Sequence, residues 1–251
     1  MGKRRGRSRP FLLSAFCGKR ASVSSASVTD ALRQFIETSF VAFAALFAIV
    51  DPPGSAPIFL AKTADLSSEE RASLARPIGL YSFLLLAAST IIGTHVLDFF
   101  GVSIPVVQVA GGLVVCSMGW SLLNQPATPF GKSGDAAAVR EDPHERAFYP
   151  LTMPLTVGPG SISVAITLGA NTHESVRNRL FTLAAHLTAA LIVAVSVYFC
   201  YRYAERIMKR LGRTGTNVLI RLSAFILLCI GVQICWNGVH ALILPFVSRP
   251  R

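Results

Sequence analysis

The sequence predicts an all-α integral membrane protein: six transmembrane helices forming two inverted three-helix repeats, each with a broken first helix. Two observations predict the class and a third the arrangement. Of 251 residues, 52% are hydrophobic and only 15% charged, and the charges sit in short blocks between long apolar runs. Those runs are continuously apolar and about as long as the roughly 20 residues a helix needs to cross the hydrocarbon layer. They lack the ten-residue alternation of a transmembrane barrel, and no open structure satisfies its own backbone inside lipid. Clusters of proline and glycine then interrupt the first and fourth runs at corresponding places.

Taken in order, the apolar runs cover 35–61, 78–97, 104–123, 148–170, 180–201 and 216–244. Residues 1–29 precede them as a basic, serine-rich segment read as a disordered tail or the product of a start site placed too early. Residues 30–123 form the first membrane repeat, 124–147 a polar loop, and 148–251 the second repeat. The net charge of +11 does not signal nucleic-acid binding, because seven of the 24 basic residues lie in the first 29 positions and the remainder flank apolar runs. The five cysteines form no C-x-x-C, and four sit inside apolar runs, so neither a zinc site nor a disulfide framework is implied.

The first run contains Asp51-Pro52-Pro53-Gly54-Ser55-Ala56-Pro57, and the fourth contains Pro154-Leu155-Thr156-Val157-Gly158-Pro159-Gly160-Ser161. Proline removes a backbone donor and clashes with the preceding turn, so each cluster is expected to break its helix. Pro53-Gly54-Ser55 and Pro159-Gly160-Ser161 both fall in the first span of a three-span half. Three is an odd number of crossings, so a second half of the same fold enters the bilayer from the opposite side. Broken helices at matching positions of inverted halves point to a transporter's substrate site. A weaker echo aligns Cys116 and Asn124 with Cys229 and Asn237, at an offset of 113 residues.

Asp51 is the leading site residue, since a carboxylate in a span costs a few kcal/mol on insertion scales unless it meets protein, water or an ion. It reads equally as a helix N-cap ahead of Pro52 and as a site for a proton, a cation or a cationic solute. Gly54, Ser55, Gly158, Gly160 and Ser161 supply flexible backbone and small hydroxyls, and free amides at a half-helix start favour an anionic group. For any one glycine, close helix packing explains as much. His186, Gln108, Arg221 and Gln233 are the other polar candidates within apolar runs. Enzyme signatures are missing: Gly131-Lys132-Ser133 has Pro126 where a phosphate loop requires glycine, and there is no H-E-x-x-H or G-x-S-x-G.

The stretch Phe47-Ala48-Ile49-Val50-Asp51-Pro52-Pro53-Gly54-Ser55-Ala56-Pro57-Ile58 resembles the first signature of the MarC family, and Pro154–Ile162 is similar to its second. The resemblance spans roughly residues 30–245. It implies a bacterial inner-membrane protein placed beside LysE-type exporters of amino acids and related solutes. Asp51 stands where many members carry asparagine, and the basic tail lies outside the family pattern.

The expected function is therefore secondary transport, the export of a small polar metabolite such as an amino acid, through a midplane site at Asp51, Pro52, Pro53, Gly54, Ser55, Pro57, Gly158, Pro159, Gly160 and Ser161, with His186 beside it. A non-transporting scaffold, or an intramembrane enzyme using Asp51 and His186 as acid and base, are the alternatives. The implied partners are the lipid bilayer and a small-molecule solute, with a coupling ion and a homo-oligomer left open; no organic cofactor and no metal are implied. Loops 62–77, 124–147 and 202–215 hold three, three and five Lys/Arg residues, so the positive-inside rule makes them cytoplasmic and puts both termini in the periplasm.

Overall fold

The computed structural model describes residues 20–124, 146–170 and 176–247, and every element among them is helical. In chain order these are α1 (Arg20–Val50), α2 (Pro52–Lys62), α3 (Ser68–Phe99), α4 (Ile104–Asn124), α5 (Ala147–Thr156), α6 (Pro159–Ala170), α7 (Val176–Arg202) and α8 (Ala204–Val247). Five helices are long and apolar enough to cross a bilayer, with α1 and α2 together making one span; α5 and α6, bent by 71°, make a sixth if counted as one. Their outward faces carry large apolar residues such as Phe40, Leu80 and Val218, each more than half exposed. On a water-soluble domain such a surface would be an interaction patch. Around a set of spans it is the lipid face.

The boundaries depart from the apolar runs in instructive ways. Segment 62–77, expected as a loop, is mostly the start of α3, because Ser67 and Glu70 close a reciprocal capping box. At 1.5 Å per residue the 32 residues of α3 outreach the hydrocarbon layer, so its charged first turns extend beyond it. Segment 202–215 is also largely helical; Gly212, at φ 66 and ψ −177, divides α8 into a short basic helix and the apolar span. Helical backbone also reaches back to Arg20, inside the segment read as a tail, whereas residues 1–19 and 125–145 lie outside the described residues.

Both proline clusters interrupt the helix, as expected, but in different ways. Asp51 is a single left-handed residue (φ 43, ψ 63), and its N–H still bonds Phe47 O at 2.9 Å while Ser55 N–H bonds Asp51 O at 3.0 Å. Pro52 and Pro53 occupy first-turn positions where no donor is needed, so the span interrupts and continues. In the fourth span Tyr149 and Met153 are extended, each directly before a proline whose ring excludes the helical conformation there. α5 is consequently a widened, irregular helix, and the chain turns sharply into α6.

Packing pairs elements across the two halves. α4 lies along α8 and α3 along α7; α1 packs on α7 and α3 on α6; α4 meets α6 and α2 meets α8. Each pairing has its counterpart when the halves are exchanged. The α4/α8 contact is glycine-tight, as membrane helix pairs often are. A Cβ on Gly112 would stand 2.6 Å from Cys235 Sγ, and one on Gly231 2.7 Å from Cys116 Sγ. Gly119 faces Ala224 and Leu228, while Gly238 faces Pro105 and Val109, so the helices run antiparallel. These contacts relate α4 and α8 positions at an offset of 119 residues rather than 113, with Gly112 against Cys235 and Gly231 against Cys116.

At the end where α2 meets α3, Arg146 forms a bidentate ion pair with Asp65, at 2.7 and 3.2 Å, and also reaches Lys62 O. The Arg146 guanidinium holds the Asp65 carboxyl below its usual range. A depressed carboxyl stabilises the fold above its unfolded-state value and loses that contribution as pH falls through the folded one. The pair is half exposed, so its worth is at most about 1 kcal/mol. Asp65→Asn should therefore lower the melting temperature of the detergent-solubilised protein slightly at pH 7, and the gap to wild type should narrow as acidification takes the Asp65 carboxyl through its depressed value. A gap that does not narrow with falling pH would mean the pair is not its source.

Candidate functional site

Both interruptions line one cavity of about 230 Å³ between α2, α4, α5, α6 and α8. From the first half come Asp51, Gly54 and Ser55; from the second, Gly158, Gly160 and Ser161. Pro52, Pro53, Pro57 and Pro159 shape these turns without lining the space, and His186 is not on it either. His186 is 5% exposed, with Nδ1 unpartnered, elsewhere along α7. Among the other polar candidates, Gln108 donates to Thr167 Oγ1 at 3.3 Å, Gln233 donates to Asn237 Oδ1 at 2.8 Å, and Arg221 is exposed.

Among the described residues, Asp51 is the only ionisable side chain on the cavity. Its Oδ1 accepts from Gly54 N–H at 3.2 Å, the N-cap geometry its position before Pro52 implied, and its carboxylate also accepts from the Ser223 hydroxyl of α8. A non-glycine residue at positive φ is uncommon outside Asp and Asn, whose short polar side chains tolerate it, and such outliers concentrate at functional sites. Gly54 has no freedom to change: a Cβ there would overlap the Asp51 carboxylate and lie 2.5 Å from Ser223 Cβ. Gly160 is equally constrained, against Val115 Cγ2. Close packing and cavity lining are thus both roles of these two glycines.

The starts of the two half-helices are chemically unlike. In α2 the first two residues are prolines without N–H, and Gly54 N–H goes to Asp51, so the anionic subsite expected at half-helix starts is absent there. α6 loses only one donor, at Pro159, and keeps the Gly160 and Ser161 N–H groups, which a helix's first turn leaves without intrahelical partners. The serines correspond closely: Ser55 Oγ donates to Asp51 O at 2.8 Å and approaches Pro52 O, and Ser161 Oγ donates to Gly158 O at 2.9 Å.

Two residues that the sequence reading passed over hold this arrangement together. Tyr201, at the end of α7 and fully buried, shares a 2.8 Å hydrogen bond with Thr156 Oγ1 and another with the Ser55 side chain. Its ring stacks on Phe59 with centroids 4.5 Å apart. One phenol thus ties both interruptions. Ser223 is a lone hydroxyl within an apolar stretch, the one available signal for it; Tyr201, at the edge of its run, resembles any interfacial tyrosine.

Cysteines placed at Ser55 and Ser161 are expected to crosslink with a short bifunctional thiol reagent in the membrane, in a background without native cysteines. Both positions are buried and face the same space. Failure to crosslink in a folded protein would mean that the two turns do not share a cavity.

A model of the MarC family, described as integral membrane protein, matches residues 36–243. A membrane protein of Archaeoglobus fulgidus is 31% identical over 210 residues, covering 82% of this chain and 93% of its own length. The inner membrane protein MarC of Salmonella typhimurium is 32% identical over 203 residues, covering 79% and 92%, and that of Escherichia coli O6:H1 agrees to the same extent. No solved structure gives a significant match.

Proposed function

Because this chain belongs to the MarC family of integral membrane proteins, we propose that it is a secondary transporter exporting a small polar metabolite, built as two inverted repeats. One observation carries the reading: a single cavity is shared by both interrupted first spans, the place where inverted-repeat transporters hold their substrates. The antiparallel register of α4 on α8, and pairings that map onto themselves when the halves are exchanged, support the repeat.

The cavity's chemistry favours a solute with a cationic end. Among the described residues, Asp51 is its one charge and no Lys or Arg lines it. The free amides of α6 give a weaker anchor for a carboxylate. An amino acid, with its ammonium toward Asp51 and its carboxylate toward Gly160 and Ser161, meets both. His186 lies off the cavity, so the acid–base pair needed by the enzyme alternative has no support in the geometry.

Purified protein in sealed vesicles, loaded with unlabelled amino acids or small metabolites and given labelled ones outside, is expected to show saturable counterflow for at least one solute. Absence of counterflow across a broad panel would favour the scaffold reading. The proposed orientation puts the basic segments in the cytoplasm and both termini in the periplasm. A reporter fused after Arg251 that is active only in the cytoplasm would reverse it.

A further inference from the structure

The α2/α8 seam carries a second hollow, of about 420 Å³, where these helices meet the start of α3. It begins within about one turn of the central cavity: Ile58 and Ile220 line the first, Leu60 and Thr216 the second. Leu60 and Met208 give it an apolar wall, and Arg71, Lys209 and Arg213 stand there against a single carboxylate, Glu205. That carboxylate is already engaged, accepting from Lys209 Nζ at 2.7 Å and from Ser68 Oγ at 2.6 Å. Arg71 is held by the turn between α2 and α3, donating from Nε to Thr63 O at 2.8 Å and from Nη2 to Leu66 O at 2.7 Å. Among the described residues its Nη1 has no partner, and the Arg213 side chain has none at all. Basic residues beside a span are usually just solvated, and the same helix shows that case. Arg206 lies over the Tyr203 ring, 5.5 Å from its centroid, and Arg210 is exposed; neither lines the hollow. Arg71 and Arg213 instead come from distant segments to one concave surface, with positive charge in excess.

We propose that this hollow binds a phosphate group, and that the occupant it fits is the headgroup of an anionic phospholipid. A guanidinium presents its N–H groups as a planar fork that matches phosphate oxygens, and one already fixed loses little freedom on binding. Depth selects a lipid over a soluble phosphate. Gly212, at φ 66, separates the basic turns of α8 from its apolar span, so the hollow sits at the boundary where headgroups lie. Thr216, buried one turn on, donates to Gly212 O at 2.8 Å and braces the break. From there α8 turns Val218, Leu222 and Phe225 outward, an apolar track for acyl chains. Basic pockets between spans on the cytoplasmic side bind such headgroups, and the proposed orientation makes this side cytoplasmic. The site shares no lining residue with the central cavity, so it stands whether or not the chain transports a solute.

The test is lipid retention by the full-length protein, released from detergent and weighed by native mass spectrometry during titration with phosphatidylglycerol or phosphatidylcholine. One copy of phosphatidylglycerol should be held about tenfold more tightly than phosphatidylcholine, the effect of a charge-assisted Arg–phosphate contact. Arg213→Gln should remove most of that preference. Arg210→Gln, the same loss of charge on the same helix but outside the hollow, should leave it within about twofold of wild type. Both side chains are exposed, so neither variant threatens the fold. The inference is overturned if wild type retains the two lipids equally, or if Arg213→Gln weakens retention no more than Arg210→Gln, which would reduce the site to diffuse basic charge. Glycerol phosphate, a phosphate without acyl chains, is the third arm and should displace the bound lipid only at concentrations far above the lipid's own. Displacement at equal concentration would make this a soluble-phosphate site and overturn the lipid assignment.

Discussion

Asp51→Leu is expected to abolish solute flux, whereas Asp51→Asn should retain much of it. Asp51 combines three features that leucine cannot supply: a left-handed backbone, a side-chain acceptor for Gly54 N–H, and an acceptor for the Ser223 hydroxyl. Leucine at positive φ costs roughly 1–2 kcal/mol, and losing the cap costs about 1 more. Asparagine tolerates the same backbone and keeps an oxygen for both donors, so only the charge is lost. Counterflow measured beside a melting curve for each variant separates the effects, because Leu should lose stability as well as flux. If Asn proves as inactive as Leu while melting like wild type, the charge itself is required. A cation- or proton-coupling role for Asp51 would then replace positioning as the account of this residue.

How far the sequence carried depends on which physical signal each feature leaves. Apolar length marks the hydrocarbon layer, so 104–123 nearly coincides with α4, while 78–97 captures only the part of α3 within lipid. The remaining turns of α3 and the short helix ahead of Gly212 are made by charged residues and a capping box, which hydropathy scores as loop. The proline clusters were legible as interruptions because proline acts locally. Their difference was not, since it turns on whether the prolines fill first-turn positions, as Pro52 and Pro53 do, or follow residues they force to be extended, as Pro150 and Pro154 do. Asp51 was legible as an N-cap from its neighbour Pro52. Ser223 and Tyr201 were not, because their roles arise from α7 and α8 meeting α2 and α5, and no spacing within one segment encodes that. The 119-residue relation in the α4/α8 contact, in place of 113, was hidden for a related reason: isolated Cys and Asn matches carry little information, whereas the glycines of α4 and α8 are fixed by a register visible only in the packed pair.

Tyr201→Ala is expected to be the most damaging single change away from Asp51, and Tyr201→Phe to separate its two roles. Removing a fully buried aromatic ring leaves a void and typically costs about 3–5 kcal/mol. Here it would also remove the stack on Phe59 and the bond that joins Ser55 to Thr156. Tyr201→Phe keeps the ring. The hydroxyls it leaves behind retain other acceptors, since Ser55 donates to Asp51 O and Thr156 to Leu151 O, so the stability cost should stay near 1 kcal/mol. The phenylalanine variant should therefore melt close to wild type but no longer hold the two interrupted spans in register. Crosslinking between cysteines at Ser55 and Ser161 is not suited to this comparison, because it replaces one of the phenol's partners. Counterflow is: Tyr201→Phe with wild-type stability and a severalfold loss of flux would assign the hydroxyl to positioning the cavity. Unchanged flux in that variant would leave Tyr201 as a packing residue alone.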